Sequence, residues 1–365
     1  MIKRGVSLYS YQQAEFFHQM TWKDELREVA TNLNGADGIE IISETTVPRY
    51  PMPPESFYFE WNNEMARYGL KAVTYDAFMD TLQFRDHVMT IAECAERLKY
   101  DLRIAHKMGF ENMRLIKGVP IQAVELALPL AEELNVRMTS EVHSPQALHA
   151  VPGTWGESIG RDIAFIEKTG TKHYGLQPDF GIFQIAPEKP LVAYQLRVSA
   201  GLSKEESFKV ADELLAIYDE IGYKDKELLY AKAEPVAPSL FVKRPSPMGG
   251  GLRCAADHLF SGPTADILEL YNVMQYIFCI HGKFYDMTEV EGEPGHFEDK
   301  GIQYKEAIAI LNACSYDGYI NSEFEGQRSQ QDMGYEGLVD EVEQVRRHHE
   351  MMDRFINDHS KDMTI

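Results

Sequence analysis

Eight short segments rich in β-branched and aromatic residues alternate with amphipathic segments along the whole chain, and this alternation narrows the fold more than any other feature. The strand candidates are Val6 to Tyr11, Gly38 to Ile42, Lys71 to Tyr75, Asn112 to Ile116, Arg137 to His143, His173 to Asp179, Tyr276 to Phe284 and Gly318 to Phe324. Apolar residues at three- and four-residue spacing predict helices over Trp22 to Leu33, Pro54 to Tyr68, Asp86 to Met108, Ile121 to Leu134, Ile159 to Lys168, Tyr304 to Ala313 and Leu338 to Ile356. Two of them run into a glycine just before the next strand, at Tyr68-Gly69-Leu70 and Met108-Gly109-Phe110, as helix C-caps do. Strands that alternate with helices pair in parallel, and eight such units close more readily into a (β/α)8 TIM barrel than into an open doubly wound sheet. The first strand is followed by Ser7-Leu8-Tyr9-Ser10-Tyr11-Gln12, which has none of the glycines of a dinucleotide-binding turn.

A plain barrel takes about 250 residues, so roughly a hundred of the 365 remain. Most lie between the sixth and seventh strands, which predicts one α/β barrel domain, 1-365, with a long insertion after the sixth strand at about 182-263. The insertion carries a charged helix, Lys204 to Ile221, and a Pro/Gly-rich stretch, Arg244 to Gly251. That stretch is too short and too unlike GxxxxGK[ST] for a phosphate loop, and reads as a mobile loop over the active-site face. With 36 Lys+Arg against 57 Asp+Glu, the net charge of −21 repels phosphate backbones and anionic membranes, so no nucleic acid and no membrane partner is expected. Cys94, Cys254, Cys279 and Cys314 are dispersed, without CxxC spacing, and read as reduced core thiols. The opening residues lack the apolar run of a signal peptide and no stretch is long enough to span a bilayer, so a cytoplasmic location is expected.

In such barrels the chemistry sits at the C-terminal ends of the strands. The last four strands close on Glu141-Val142-His143, Gln177-Pro178-Asp179, His281-Gly282-Lys283 and Glu323-Phe324-Glu325, and period two puts the outer members of each triplet on one face. A lone strand-end acid is ordinarily a cap or a surface charge, and a lone histidine ordinarily a hydrogen-bonded core residue. Three carboxylates and an imidazole on successive strands would repel one another, and a divalent cation among them is the one explanation they share. Oxygen-rich ligation without thiolate suits Mn²⁺, Mg²⁺ or Co²⁺.

This pattern resembles the metal site of the xylose-isomerase-like TIM-barrel superfamily of sugar phosphate isomerases and epimerases. Carried over residue by residue, the ligands of one divalent metal ion, Mn²⁺ above all, become Glu141, Asp179, His281 and Glu323. Within the superfamily, Ser7 to Gln12, Glu141-Val142-His143, Gln177-Pro178-Asp179-Phe180 and His281-Gly282-Lys283-Phe284-Tyr285 resemble the α-subunit of bacterial C-glycoside deglycosidases. The resemblance implies a lyase that cleaves the sugar-to-aglycone C–C bond of 3-oxo-C-glucosides, flavonoid glycosides being typical, in a hetero-oligomer with a small β-sandwich partner subunit.

For that reaction a base removes the proton at sugar C2, next to the C3 ketone, and the aglycone leaves from C1. His143 is the expected base, because it shares a face with Glu141 and imidazole titrates near neutrality. Lys283 either polarises a substrate oxygen or pairs with an acid. Glu325 reads as a solvated loop residue more readily than a sugar contact. Tyr9, Tyr11, Phe284 and Tyr285 are candidates for an apolar wall. The alternative is a ketose 3-epimerase or sugar isomerase, in which Glu141 and Glu323 exchange the proton on opposite sides of an enediolate. A nuclease branch of the superfamily is disfavoured by the charge and by His106, His149, His173, His258 and His296, which fall on no further strand ends. A non-catalytic scaffold subunit would have no need of four converging ligands.

Overall fold

The computed structural model describes residues 1–116, 118–149, 157–245 and 251–358. Its eight-stranded parallel sheet consists of β1 (Lys3–Ser7), β2 (Ala36–Ile42), β3 (Lys71–Ala77), β4 (Asn112–Leu115), β5 (Arg137–Val142), β6 (Tyr174–Pro178), β7 (Cys279–Phe284) and β8 (Tyr319–Phe324). The hydrogen-bonded order is 6-5-4-3-2-1-8-7. Parallel bridges between Leu176 and Ile277 and between Asp179 and His281 join β6 to β7, so the sheet is a (β/α)8 TIM barrel.

Alternation along each strand sorts its residues between two environments. Ile39, Ile41, Val73, Tyr75, Met113 and Leu115 are buried against the surrounding helices. Their neighbours Glu40, Thr74, Asp76, Asn112 and Arg114 point the other way, and are buried too, inside the barrel. Short polar residues line the lower interior, where Thr139 Oγ1 and Cys279 Sγ both donate to Gln177 Oε1 at 3.0 and 2.8 Å. All four cysteines are free thiols.

The elements start and stop where local chemistry dictates. The helix expected from Asp86 begins at Ile91, after the reciprocal capping box of Thr90 and Glu93. The helix expected from Leu338 begins at Glu341, because the Asp340 carboxylate accepts from the Glu343 N–H. The first strand ends at Ser7; Leu8–Tyr11 is a 3-10 turn that runs into the short helix Gln12–Phe16. Ser10 Oγ anchors that turn by donating to Ser322 O and accepting from Phe324 N, 3.0 and 2.9 Å away on β8.

Between β6 and β7 the chain forms the helices Lys189–Ala200, Lys204–Ile221 and Lys226–Ala233, which pack around their own apolar cluster of Val192, Leu196, Leu214, Leu229, Leu240 and Phe260. Arg197 ties this cluster to the segment after β8, donating to Ser329 O at 2.8 Å and pairing with Asp332 at 2.7 Å. Residues 246–250 of the Pro/Gly-rich stretch lie outside the described residues; its flanks pair as Arg244–Pro245 with Leu252–Arg253. Among the described residues no helix is long and apolar enough to cross a membrane.

Candidate active site

The closed barrel brings the strand-end residues to one point. His281, fully buried on β7, is its centre. Around its Nδ1 stand Glu323 Oε2 at 3.0 Å, Glu141 Oε1 at 3.2 Å and Asp179 Oδ2 at 3.9 Å. All four predicted ligands therefore meet, and Glu141, Asp179 and His281 place donor atoms within 4.8 Å of one another. Asp179 is oriented by its own turn: its Oδ1 accepts from the Gly181 N–H at 2.7 Å, which leaves Oδ2 facing the cluster.

Two buried cations balance part of this charge. Lys283, 1% exposed, places Nζ 2.7 Å from Glu323 Oε2, 3.2 Å from Asp179 Oδ2 and 3.2 Å from Glu325 Oε2. Of the two roles open to this lysine, pairing with acids is the one seen. Glu325 is no solvated loop residue: Lys283, Arg328 at 3.2 Å and the Tyr9 hydroxyl at 3.5 Å surround it. Burial disfavours the Lys283 ammonium, yet Asp179 and Glu323 hold its proton well above the ordinary lysine range.

The second cation belongs to a group the strand-end reading missed. Arg114 on β4 reaches Glu141 Oε1 at 2.6 Å and Asp76 Oδ1 at 2.9 Å, and its Nη1 lies 3.3 Å from His281 Nδ1. Glu40 Oε1 lies 2.9 Å from His281 Nε2, and Glu40, Asp76 and His281 form a second set of donor atoms within 4.8 Å. The signal for these residues was present. Glu40 alternates with Ile39 and Ile41, Asp76 with Tyr75 and Ala77, and Arg114 with Met113 and Leu115. The same period two, applied to the second to fourth strands, finds them.

Burial raises the Glu141 carboxyl, but Arg114 and His281 outweigh it and hold Glu141 below the usual carboxylate range. Glu323 is likewise held well below it, burial being outweighed by His281 and Lys283. Asp179 is raised, burial exceeding the pull of Lys283 and His143. These side chains fit a divalent cation. Asp179 Oδ2 and Glu323 Oε2 are buried and accept no well-directed hydrogen bond, although Lys283 is near both. Two charged oxygens left in that state beside an imidazole nitrogen are what a metal ion satisfies.

His143 follows the last residue of β5, at the mouth, with a side chain 40% exposed. Its Nδ1 lies 2.8 Å from Ser144 O, and because a carbonyl only accepts, Nδ1 carries the proton. Nε2 is then the basic nitrogen, 3.7 Å from Asp179 Oδ2. The expected apolar wall is half absent. Tyr11 is fully buried, carried inward by the 3-10 turn, and Phe284 faces the helices, stacked on His348 with ring centres 4.0 Å apart. Tyr9, in contact with the Arg328 guanidinium, and Tyr285, beside Gly181 and Lys283, remain at the mouth.

No protein-family model matches the chain. A 3'-dehydrocarminate deglycosidase alpha subunit from a Microbacterium species is 26% identical over 330 residues, covering 88% of each chain. A C-glycoside deglycosidase alpha subunit from Arthrobacter globiformis is 24% identical over 360 residues, 98% of this chain and 93% of its own. The chain is similar to deglycosidase alpha subunits almost from end to end. A sugar phosphate isomerase/epimerase from Parabacteroides distasonis shares this chain's fold, with a TM-score of 0.52 and 12% identity over 97% of this chain and 95% of its own. An L-ribulose 3-epimerase does so at 0.51 and 12%, over 98% and 95%.

Proposed function

We propose that the chain is the catalytic alpha subunit of a C-glycoside deglycosidase, acting as a lyase on 3-oxo-C-glucosides. The observation that carries the chemistry is one imidazole, His143, at the rim of a buried set of three acids and a second imidazole. The names of the relatives support the substrate class.

Glu141, Asp179, His281 and Glu323 would hold a divalent cation, Mn²⁺ above Mg²⁺ or Co²⁺. The chemistry such an ion supplies when bound is Lewis-acid polarisation of a substrate carbonyl, which acidifies the adjacent C–H. His143 Nε2 takes the C2 proton. The electron pair of that bond forms C1=C2 as the C1–C(aglycone) bond breaks, and the aglycone carbon leaves with that bond's pair and is protonated. The products are an enone sugar and free aglycone, and no oxidant or water is consumed. Lys283 holds Asp179, Glu323 and Glu325 in register by charge. Tyr9 and Tyr285 offer ring faces to an aromatic aglycone. The Ser144 carbonyl fixes the tautomer in which His143 is a base.

The relatives' designation as alpha subunits supports a partner, which we take to be a small β-sandwich subunit in a hetero-oligomer. We take residues 1-365 to act as a single barrel domain, its insertion at about 182-263 clasping the mouth through Arg197. Four free thiols support a reducing, cytoplasmic setting.

The test incubates the chain and its partner with a 3-oxo-C-glucoside and, in parallel, with a free ketohexose, each with Mn²⁺. Released aglycone without epimerised ketose is the expected result; epimerisation without aglycone selects the ketose 3-epimerase instead. Glu141→Gln should lose bound metal and turnover together. His143→Asn should keep the metal and lose turnover by about 100-fold or more, and retained turnover removes His143 as the base.

A further inference from the structure

Glu40 is an acid the proposed chemistry does not use, yet it is among the most completely enclosed charges in the barrel. Its Oε2 accepts from Asn321 Nδ2 at 2.9 Å and from Gln177 Nε2 at 3.2 Å. The Gln177 amide presents its N–H to Glu40 because a carboxylate only accepts, and its oxygen then receives Thr139 and Cys279 on the other side. Residues from β2, β5, β6, β7 and β8 thus hold this carboxylate and leave its second oxygen, Oε1, turned to His281 Nε2 at 2.9 Å. In the present ring orientation that contact falls outside hydrogen-bond angles, and neither atom has another hydrogen-bond partner.

The two edges of the His281 ring therefore face different chemistry. On one edge Nε2 faces Glu40, and a carboxylate only accepts. On the other, Nδ1 faces Glu141, Glu323 and Asp179, with the Arg114 Nη1, which only donates, at 3.3 Å. Glu40 favours a ring proton on Nε2, and a cation seated among Glu141, Asp179 and Glu323 would take the lone pair of Nδ1, so the two together set one tautomer. Asp76 has an oxygen within 4.8 Å of a His281 ring nitrogen, but the Arg114 Nε at 2.9 Å already pairs with it.

We infer that Glu40 is a positioning residue: it takes the Nε2–H of His281 and so fixes the tautomer and ring plane that present Nδ1 to a divalent cation beside Glu141, Asp179 and Glu323. This rests on the metal site proposed above. A carboxylate on the far nitrogen of a ligating histidine ordinarily raises metal affinity by about 10–100-fold.

The test is Glu40→Gln, which keeps size and shape. Its amide must turn an N–H either toward the Asn321 and Gln177 donors or toward the His281 N–H, so no orientation satisfies all three. Titration of the metal-free protein with Mn²⁺ should show one ion per wild-type chain and, in Glu40→Gln, a dissociation constant raised about 10–100-fold. Glu40→Asp, which keeps the charge, should fall between the two. In wild-type protein labelled with ¹⁵N-histidine and loaded with diamagnetic Mg²⁺, His281 should show a protonated Nε2 and an unprotonated Nδ1; this readout needs no variant to fold. One Mn²⁺ bound with unchanged affinity in Glu40→Gln overturns the role of Glu40 and spares the metal site. No Mn²⁺ bound to wild type overturns both. Two Mn²⁺ per wild-type chain, one of them lost in Glu40→Gln, would make Glu40 a ligand of a second ion with Asp76 and His281, and overturns the positioning role.

Discussion

Replacing Arg114 with methionine tests how the barrel interior tolerates its charges. The guanidinium is 4% exposed and bridges Asp76 at 2.9 Å and Glu141 at 2.6 Å. Methionine fills the space of the alkyl stem, so the packing loss is small and the electrostatic loss dominates. Two buried carboxylates would lose their shared cation, and breaking a buried pair costs about 3–5 kcal/mol because the remaining charge is uncompensated. Unfolding entropy near 2.1 cal/mol/K per residue, taken over 365 residues, turns that cost into a melting temperature lower by about 4–6 °C. Scanning calorimetry of the metal-free protein reads it directly. The double variant Arg114→Met/Asp76→Leu should recover part of the loss, since one of the two stranded acids is gone. Saturating Mn²⁺ should narrow the gap between Arg114→Met and wild type, because Glu141 then regains a positive neighbour. A melting temperature within about 1 °C of wild type for Arg114→Met in chelator, or an Asp76→Leu background that makes no difference to it, would refute the view that Arg114 carries this charge balance.

Acid sensitivity should arise on the opposite face of β8. Ser322 Oγ lies 2.8 Å from both His348 Nδ1 and His349 Nε2 on the C-terminal helix. Burial, with Arg4 adding to it, pushes His349 down to about 3, and burial together with its neighbour His349 pushes His348 well below its usual value. A histidine kept neutral in the fold but protonated when unfolded contributes fully above about pH 6.5, and that contribution is lost as pH falls toward the folded value. The two histidines should therefore each pull stability down below pH 6.5 by up to about 1.4 kcal/mol per pH unit, against the buried acids Glu341, Asp162 and Asp299, which are raised to about 7, 6 and 6 and act the other way. Urea midpoints between pH 7 and pH 5, compared between wild type and His349→Gln, check this, and a variant with the same pH slope as wild type sinks it. At the mouth, a Cβ on Gly326 would lie 1.7 Å from the Tyr285 carbonyl oxygen, so Gly326→Ala must move the segment that carries Glu325. Turnover should fall by about 100-fold, as a misplacement near 1 Å does, and unchanged aglycone release would show that this segment does not position the site.

How much could be read from the chain is clearest at particular residues. The spacing around Tyr304–Ala313 and Lys204–Ile221 marks those helices to the residue, because caps and apolar periodicity are local properties. Glu141, Asp179, His281 and Glu323 were legible for a related reason: a parallel barrel places strand ends at one face, and period two assigns each side chain a direction. Leu8 to Tyr11 misled, since its aromatic run has strand propensity, while the hydrogen bonds of Ser10 to β8 hold it as a turn.

The amino-acid sequence by itself thus determined the barrel, its long insertion and the acids and histidines at the mouth, all of which follow from periodicity and element order. Only the tertiary structure decided which charges share one dielectric. Closing β6 onto β7 turns eight strands toward a common axis, and so brings Glu40, Asp76 and Arg114 from the first half of the barrel to His281 and Glu141 from the second. Coulomb energy depends on distance and burial rather than on position along the chain. Those pairings, and with them the nitrogen that His281 turns to Glu141, Asp179 and Glu323, exist only once the barrel is shut.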